Sequence, residues 1–190
     1  MACGCAGAAL VAAGCGLTNS SAKVTTVTVA KTVTHLVTTT APAPTPAASN
    51  ACTGSDLSGT FGVLQGSAGA GNIVYTLRVT NASQSPCTVS GLPQLQLLGS
   101  GGGSLPTKVT ADKPGDTGST VALQPGASAT AQARFSPDVQ GVGEGNPCEP
   151  KASTLRVTAP GGGTIDVKID PPTSVCSHGA MQLTPYSTAD

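Results

Sequence analysis

Tryptophan is absent from this chain of 190 residues, and Phe61, Tyr75, Phe135 and Tyr186 are its only aromatic side chains. Grooves for single-stranded nucleic acid rely on aromatic platforms for stacking. Carbohydrate sites lean on similar platforms. With three of the four aromatics on inward strand phases, only Tyr186 is expected to offer an exposed ring. Charge is equally scarce. Nine Lys/Arg are matched by nine Asp/Glu, giving a net charge of zero, and the basic residues are scattered singly. That removes the basic stripe a nucleic-acid partner needs and the long-range field that steers charged ligands.

Long apolar runs are missing too. None approaches the roughly 18 residues of a membrane-spanning helix, so any membrane association must take another route. Histidine is limited to His35 and His178, and methionine to Met1 and Met181. In "SHGAM", His178 and Met181 stand close, and imidazole with thioether suits Cu(I), but two ligands do not make a useful site. Asp112 and Asp116 in "ADKPGD", with Asp138, Glu144 and Glu149, lack the EF-hand spacing for calcium. They read as solvated turn acids. No metal and no cofactor is expected.

What remains is abundant Gly, Pro, Thr, Ser, Val and Ala, the composition of turn-rich β structure or of disorder rather than of helices. Three zones follow along the chain. Residues 1–14 are small and apolar. Residues 15–51 hold Cys15 and then a low-complexity stretch ending in "APAPTPAASNA". Its "KVTTVTVAKTVTHLV" alternates like a strand, but no turn follows to pair it, and "APAPTP" imposes an extended path. It is read as a disordered tether, spanning about 30–35 Å as a flexible coil. Its threonines permit O-linked sugar.

Residues 52–190 are read as a folded domain. "NIVYTLRVTN" alternates Ile73, Tyr75, Leu77 and Val79 against Val74, Thr76, Arg78 and Thr80, a half-buried strand. "LPQLQLLG" sets Leu95 and Leu97 against Gln94 and Gln96. "STVALQ" runs into Pro125-Gly126, suited to the centre of a type II turn. "ASATAQARF" then places Ala127, Ala129, Ala131, Ala133 and Phe135 on one face. "STLRVTA", "PGGG" and "TIDVKI" form a hairpin with Ile165, Val167 and Ile169 inward. With "FGVLQ" and "MQLTPY", seven to nine short strands suggest an immunoglobulin-like antiparallel β-sandwich.

Seven cysteines stand at 3, 5, 15, 52, 87, 148 and 176. An odd number in an exported protein asks for an explanation. Cleavage before Cys15 would remove Cys3 and Cys5, assign Cys15 to a lipid, and leave four in the domain. Of the three pairings these allow, strand geometry favours Cys52–Cys87 and Cys148–Cys176. "FGVLQ" and "NIVYTLRVT" pairing antiparallel would bring the first two to one end, and the 153–169 hairpin would return the chain toward Cys148 and Cys176. No CxxC and no close Cys/His spacing in the domain points to zinc.

Two resemblances become specific at this point. "VAAGC" resembles a bacterial lipoprotein lipobox, with Gly14 before the acceptor Cys15. Ala12 stands where Leu is commoner. The segment before it carries no Lys or Arg, which is read as an incomplete start. The domain resembles the actinobacterial lipoprotein family called domain of unknown function 4232. The matching residues are Cys52; "YTLRVTNASQSPCTVSGLPQLQLL" with Asn81, Ser83, Cys87, Gly91 and Pro93; "VALQPGASATAQARF" with Pro125 and Gly126; "NPCEPKASTLRVTAP" with Cys148; and Cys176. The resemblance implies an exported, lipid-anchored β-sandwich whose activity is undefined.

The signature residues read as scaffold: Asn81 tolerates left-handed backbone and can cap a turn, while Gly91 and Pro93 shape the start of the next strand. The expectation is a non-enzymatic structural or binding module, monomeric, on the outer face of the cell membrane, held by lipid at Cys15 and free to meet an envelope protein. Its loop at 136–147, "SPDVQGVGEGNP", is a candidate contact surface. Secretion is the alternative location. The alternative activity is an exported hydrolase using His178 as general base with Asp166 or Asp170, although no GxSxG elbow supports it.

Overall fold

The structure, a computed structural model, describes residues 50–137 and 148–189. The signal segment, Cys15, His35, nearly all of the tether and most of the 136–147 loop, including Asp138 and Glu144, lie outside the described residues.

Eleven strands are described. They are β1 (Leu57–Val63), β2 (Ile73–Asn81), β3 (Cys87–Val89), β4 (Gln94–Gly99), β5 (Lys108–Ala111) and β6 (Val121–Leu123). After them come β7 (Ser128–Phe135), β8 (Ala152–Thr158), β9 (Thr164–Thr173), β10 (Ala180–Leu183) and β11 (Ser187–Thr188). Nine build one sheet in the order β4-β8-β9-β1-β2-β7-β10-β5, with β11 also paired to β7; β3 and β6 form a separate ribbon.

The all-β expectation holds, but a purely antiparallel sandwich does not. β1 runs parallel to β9, and β10 runs parallel to β5. Both pairs join strands far apart in sequence, where no hairpin dictates direction. The sheet also curls until its ends approach each other, close to a barrel. Beyond β4, the segment leading into β5 folds back on it: Leu105 N–H donates to the Leu97 carbonyl at 2.9 Å. Thr107 Oγ1 accepts from Leu97 N–H at 2.9 Å. Those bonds satisfy backbone groups that an open edge would leave unpaired.

Small residues make the core possible. On β7, Ala129, Ala131 and Ala133 are all buried and stand opposite Val79, Leu77 and Tyr75 of β2. Large side chains from one strand thus face methyl groups on the next. Tyr75 lies between Phe61 and Phe135, with ring centroids 5.0 and 5.1 Å away and tilted planes. The three rings sit on neighbouring strands in diagonal positions, a spacing that suits aromatic pairs.

Two ends of the sheet can be told apart from the register. The chain arrives at one of them: Thr88 N–H donates to the Asn50 carbonyl, and Cys52 N–H donates to the Thr88 carbonyl. The Pro160–Gly163 turn between β8 and β9 lies beneath it, with Gly161 N–H bonded to the Cys52 carbonyl. At the opposite end lie Val63, Ile73 and Phe135, and the starts of β5 and β10.

Each end carries one disulfide: Cys52–Cys87 at the first and Cys148–Cys176 at the second. Sequence separations of 35 and 28 residues correspond to about 3.5–4 kcal/mol each in chain-entropy terms. The double variant Cys52→Ser/Cys87→Ser is therefore expected to unfold about 3–4 kcal/mol more easily in urea, with a larger m-value because its denatured chain is less compact.

Candidate functional site

The residues of the sequence signature gather at the end where the chain arrives. Asn81 closes β2 and is fully buried. Its Nδ2 donates to the Ser85 carbonyl at 2.8 Å and to the Leu123 carbonyl at 2.9 Å. Its Oδ1 accepts from Ser83 N–H at 2.9 Å and from Ser83 Oγ at 2.7 Å. Every hydrogen-bonding position of the amide is used. Asn81 is extended, as part of β2, and caps the following turn with its side chain rather than through left-handed backbone.

The backbone of Asn81 is engaged as well. Its N–H donates to the Ala127 carbonyl, and its carbonyl accepts from Gly126 N–H. The Pro125-Gly126 turn is closed by Ala127 N–H on the Gln124 carbonyl, with Gly126 at φ +80. That positive φ is where a type II turn requires glycine. Gly91, at φ +73, gives its carbonyl to Tyr186 N–H. Pro93 precedes β4 and is buried. These contacts hold strands together and expose no reactive group.

Aromatic platforms are absent altogether. All four aromatic rings are buried, including Tyr186, which is 4% exposed and was expected at the surface. It packs in the core because β11, beyond it, pairs back onto β7. Its hydroxyl is buried with no hydrogen-bond partner among the described residues, and burial pushes its pKa up to about 12.

Chemistry-bearing groups lie at the other end. Cys176 opens a four-residue helical turn, Cys176–Gly179, in which Ser177 (φ 55, ψ 46) and His178 (φ 58, ψ 43) are both left-handed. Such backbone costs roughly 1–2 kcal/mol per non-glycine residue. The Cys148–Cys176 disulfide and the Ala180 N–H bond to the Cys176 carbonyl hold it. Gly179 (φ +71) is pressed against Pro106, whose carbonyl oxygen would overlap any Cβ there.

The side chain of His178 points outward, 74% exposed, with Nδ1 3.4 Å from Glu149 Oε1. No hydrogen bond joins it to a serine or an aspartate among the described residues. Asp166 is committed to Arg156, which grips it through two bonds of 2.7 and 2.8 Å and holds the carboxyl below its ordinary pKa. Met181 is buried and does not converge with His178 on a common metal position. Asp116 accepts from Gly118 N–H at 3.0 Å in the turn after β5. Among the described residues, no three His, Cys, Asp or Glu side chains gather around a metal position.

Beside this turn runs a groove of about 280 Å³. Lys108, Arg134 and Gln182 line it from β5, β7 and β10, and Asn72, Ser136 and Ser177 from the adjoining loops. Lys108 and Arg134 have no ion-pair partner among the described residues. Alternation in "ASATAQARF" places Arg134 outward, but nothing in the sequence marks Lys108 as its neighbour. They meet through the parallel β5–β10 pairing, which no local pattern encodes.

Among known families, the model described as Domain of unknown function (DUF4232) matches residues 52–187. No curated protein and no solved structure matches.

Two substitutions separate satisfied from unsatisfied polar groups. Asn81→Ala strips partners from Ser83 N–H and two carbonyls and is expected to cost about 3 kcal/mol in chemical denaturation. Tyr186→Phe removes a buried hydroxyl that no described group satisfies, so a gain of about 1 kcal/mol is expected. The Tyr186 pKa is raised in the folded state, so the folded protein holds this proton more tightly. That contribution is complete below pH 10 and is lost as pH rises toward 12. Tyr186→Phe should therefore flatten the fall in stability measured between pH 10 and 12 by about 2 kcal/mol.

Proposed function

We propose, on the premise that the chain belongs to the family called domain of unknown function 4232, that it is a lipid-anchored module of the cell envelope. Cys15 carries the lipid after cleavage of residues 1–14, and residues 16–51 hold the β-domain off the membrane. The domain acts by binding or as a structural element, without catalysis.

The observation that carries this reading is the pair of disulfides, Cys52–Cys87 and Cys148–Cys176. Such bonds persist in oxidising, extracytoplasmic compartments. With both engaged, Cys15 is the remaining cysteine that follows the proposed cleavage point, in the "AAGC" context of a lipid acceptor. No helix among the described residues is long and apolar enough to cross a membrane, so a diacyl anchor supplies the attachment this reading needs. The non-catalytic role is supported by His178, which lies exposed and pairs with Glu149 rather than with a nucleophile.

Mass spectrometry of the mature protein is the test. The expected N-terminal peptide begins at Cys15 and carries a thioether-linked diacylglycerol. A free Met1, or an unacylated Cys15, overturns the reading. In the same cells Cys15→Ala should abolish recovery of the protein with the membrane fraction.

A further inference from the structure

We infer that the groove between β5, β10 and β7 binds a small oxyanion, a carboxylate or phosphate group, between Lys108 and Arg134. The register fixes how these two side chains stand. Lys108 lies opposite Ala180 in the parallel β5–β10 pair, and Arg134 lies opposite Gln182 in the antiparallel β7–β10 pair. One strand separates them laterally and two residues separate them along it, so their Cα atoms are about 12 Å apart by ordinary strand spacing and rise. Both alternate outward from buried neighbours, Arg134 from Ala133 and Phe135, and Lys108 from half-buried Val109. Their flexible stems lean over the same strand and can close on one anion between them.

Charge favours that occupant. Across the described groove no carboxylate lines the wall, and neither cation has an ion-pair partner among the described residues. Glu149, the carboxylate beside the Cys176–Gly179 turn, faces His178 instead. Arg156, by contrast, is fully engaged by Asp166 on β9. What sets this place apart is that two cations line one groove with no described carboxylate beside them.

The walls supply the rest of an oxyanion site. Ser136 and Ser177 contribute hydroxyl groups, and Asn72 and Gln182 contribute amides, all hydrogen-bond donors to a bound oxygen. Arg134 offers a planar fork matched to two oxygens of a carboxylate or phosphate, while Lys108 adds a point charge. Ser177 is held in place by left-handed backbone between the Cys148–Cys176 disulfide and Gly179. Backbone so fixed loses little freedom when a ligand arrives, which lowers the entropic cost of binding. This inference rests on the groove alone and is independent of acylation at Cys15.

The test titrates the full chain with inorganic phosphate and, separately, with acetate, at constant ionic strength held by chloride. Backbone amide and arginine side-chain resonances report binding. Saturable shifts are expected at Lys108, Arg134, Ser136 and Ser177, with one anion binding more tightly and so naming the ligand as a phosphate or a carboxylate. Arg134→Gln and Lys108→Gln, both on exposed positions, should each weaken binding at least tenfold, while Lys168→Gln changes it less than twofold. Non-saturable shifts spread over every cation, or affinity that survives Arg134→Gln and Lys108→Gln unchanged, overturn the inference.

Discussion

Asn81 is a polar amide at zero exposure, and its partners lie at three places, two of them on the stretch that runs from the end of β6 into β7. They are the turn after β2, the end of β6, and the Pro125-Gly126 turn before β7. A buried amide left without partners would cost several kilocalories per mole, so the fold is committed to bringing all three together. The position of the β3–β6 ribbon against the main sheet, and the start of β7 alongside β2, both follow from that demand. A side chain that reads in the sequence as a mere turn residue thus fixes how two sheets join.

The remainder of the core obeys a different economy. With four aromatic rings and no tryptophan, bulk is concentrated in the Phe61–Tyr75–Phe135 stack, and alanines on β7 let neighbouring strands close around it. Interiors must be filled to near-crystalline density, and alternating large and small residues across paired strands achieves this with few rings. A core this light in large side chains gains much from cross-links, and each end of the sheet has one.

Legibility in the sequence tracked locality. Strands with strict alternation, such as β2 and β7, and the β8–β9 hairpin around its glycine turn, were readable because period and turn lie within a short window. The cystine pairs were readable once two hairpins were assumed. Three-residue β3, two-residue β11 and four-residue β5 were not, since so few residues define no period. Nor were the two parallel pairings, which depend on strands meeting after most of the chain has folded. Tyr186 was misplaced for a related reason: its burial depends on β11 returning to β7. The groove escaped notice altogether, because its walls are assembled by those non-local pairings, while the signature residues that stand out in the sequence turned out to serve the scaffold.

The first described residues have a mechanical consequence. Asn50 and Cys52 run parallel to Thr88 of β3, and Cys52 is covalently joined to Cys87. Tension arriving from the preceding chain therefore meets a covalent bond before it can peel β1 from its neighbours. The pull divides at Cys52 and passes partly into β3, whose partner strand β6 leads into the turn that Asn81 secures. Drag on the domain is shared between two sheets at its first described residues, and the folded body is dragged as a unit rather than unravelled strand by strand.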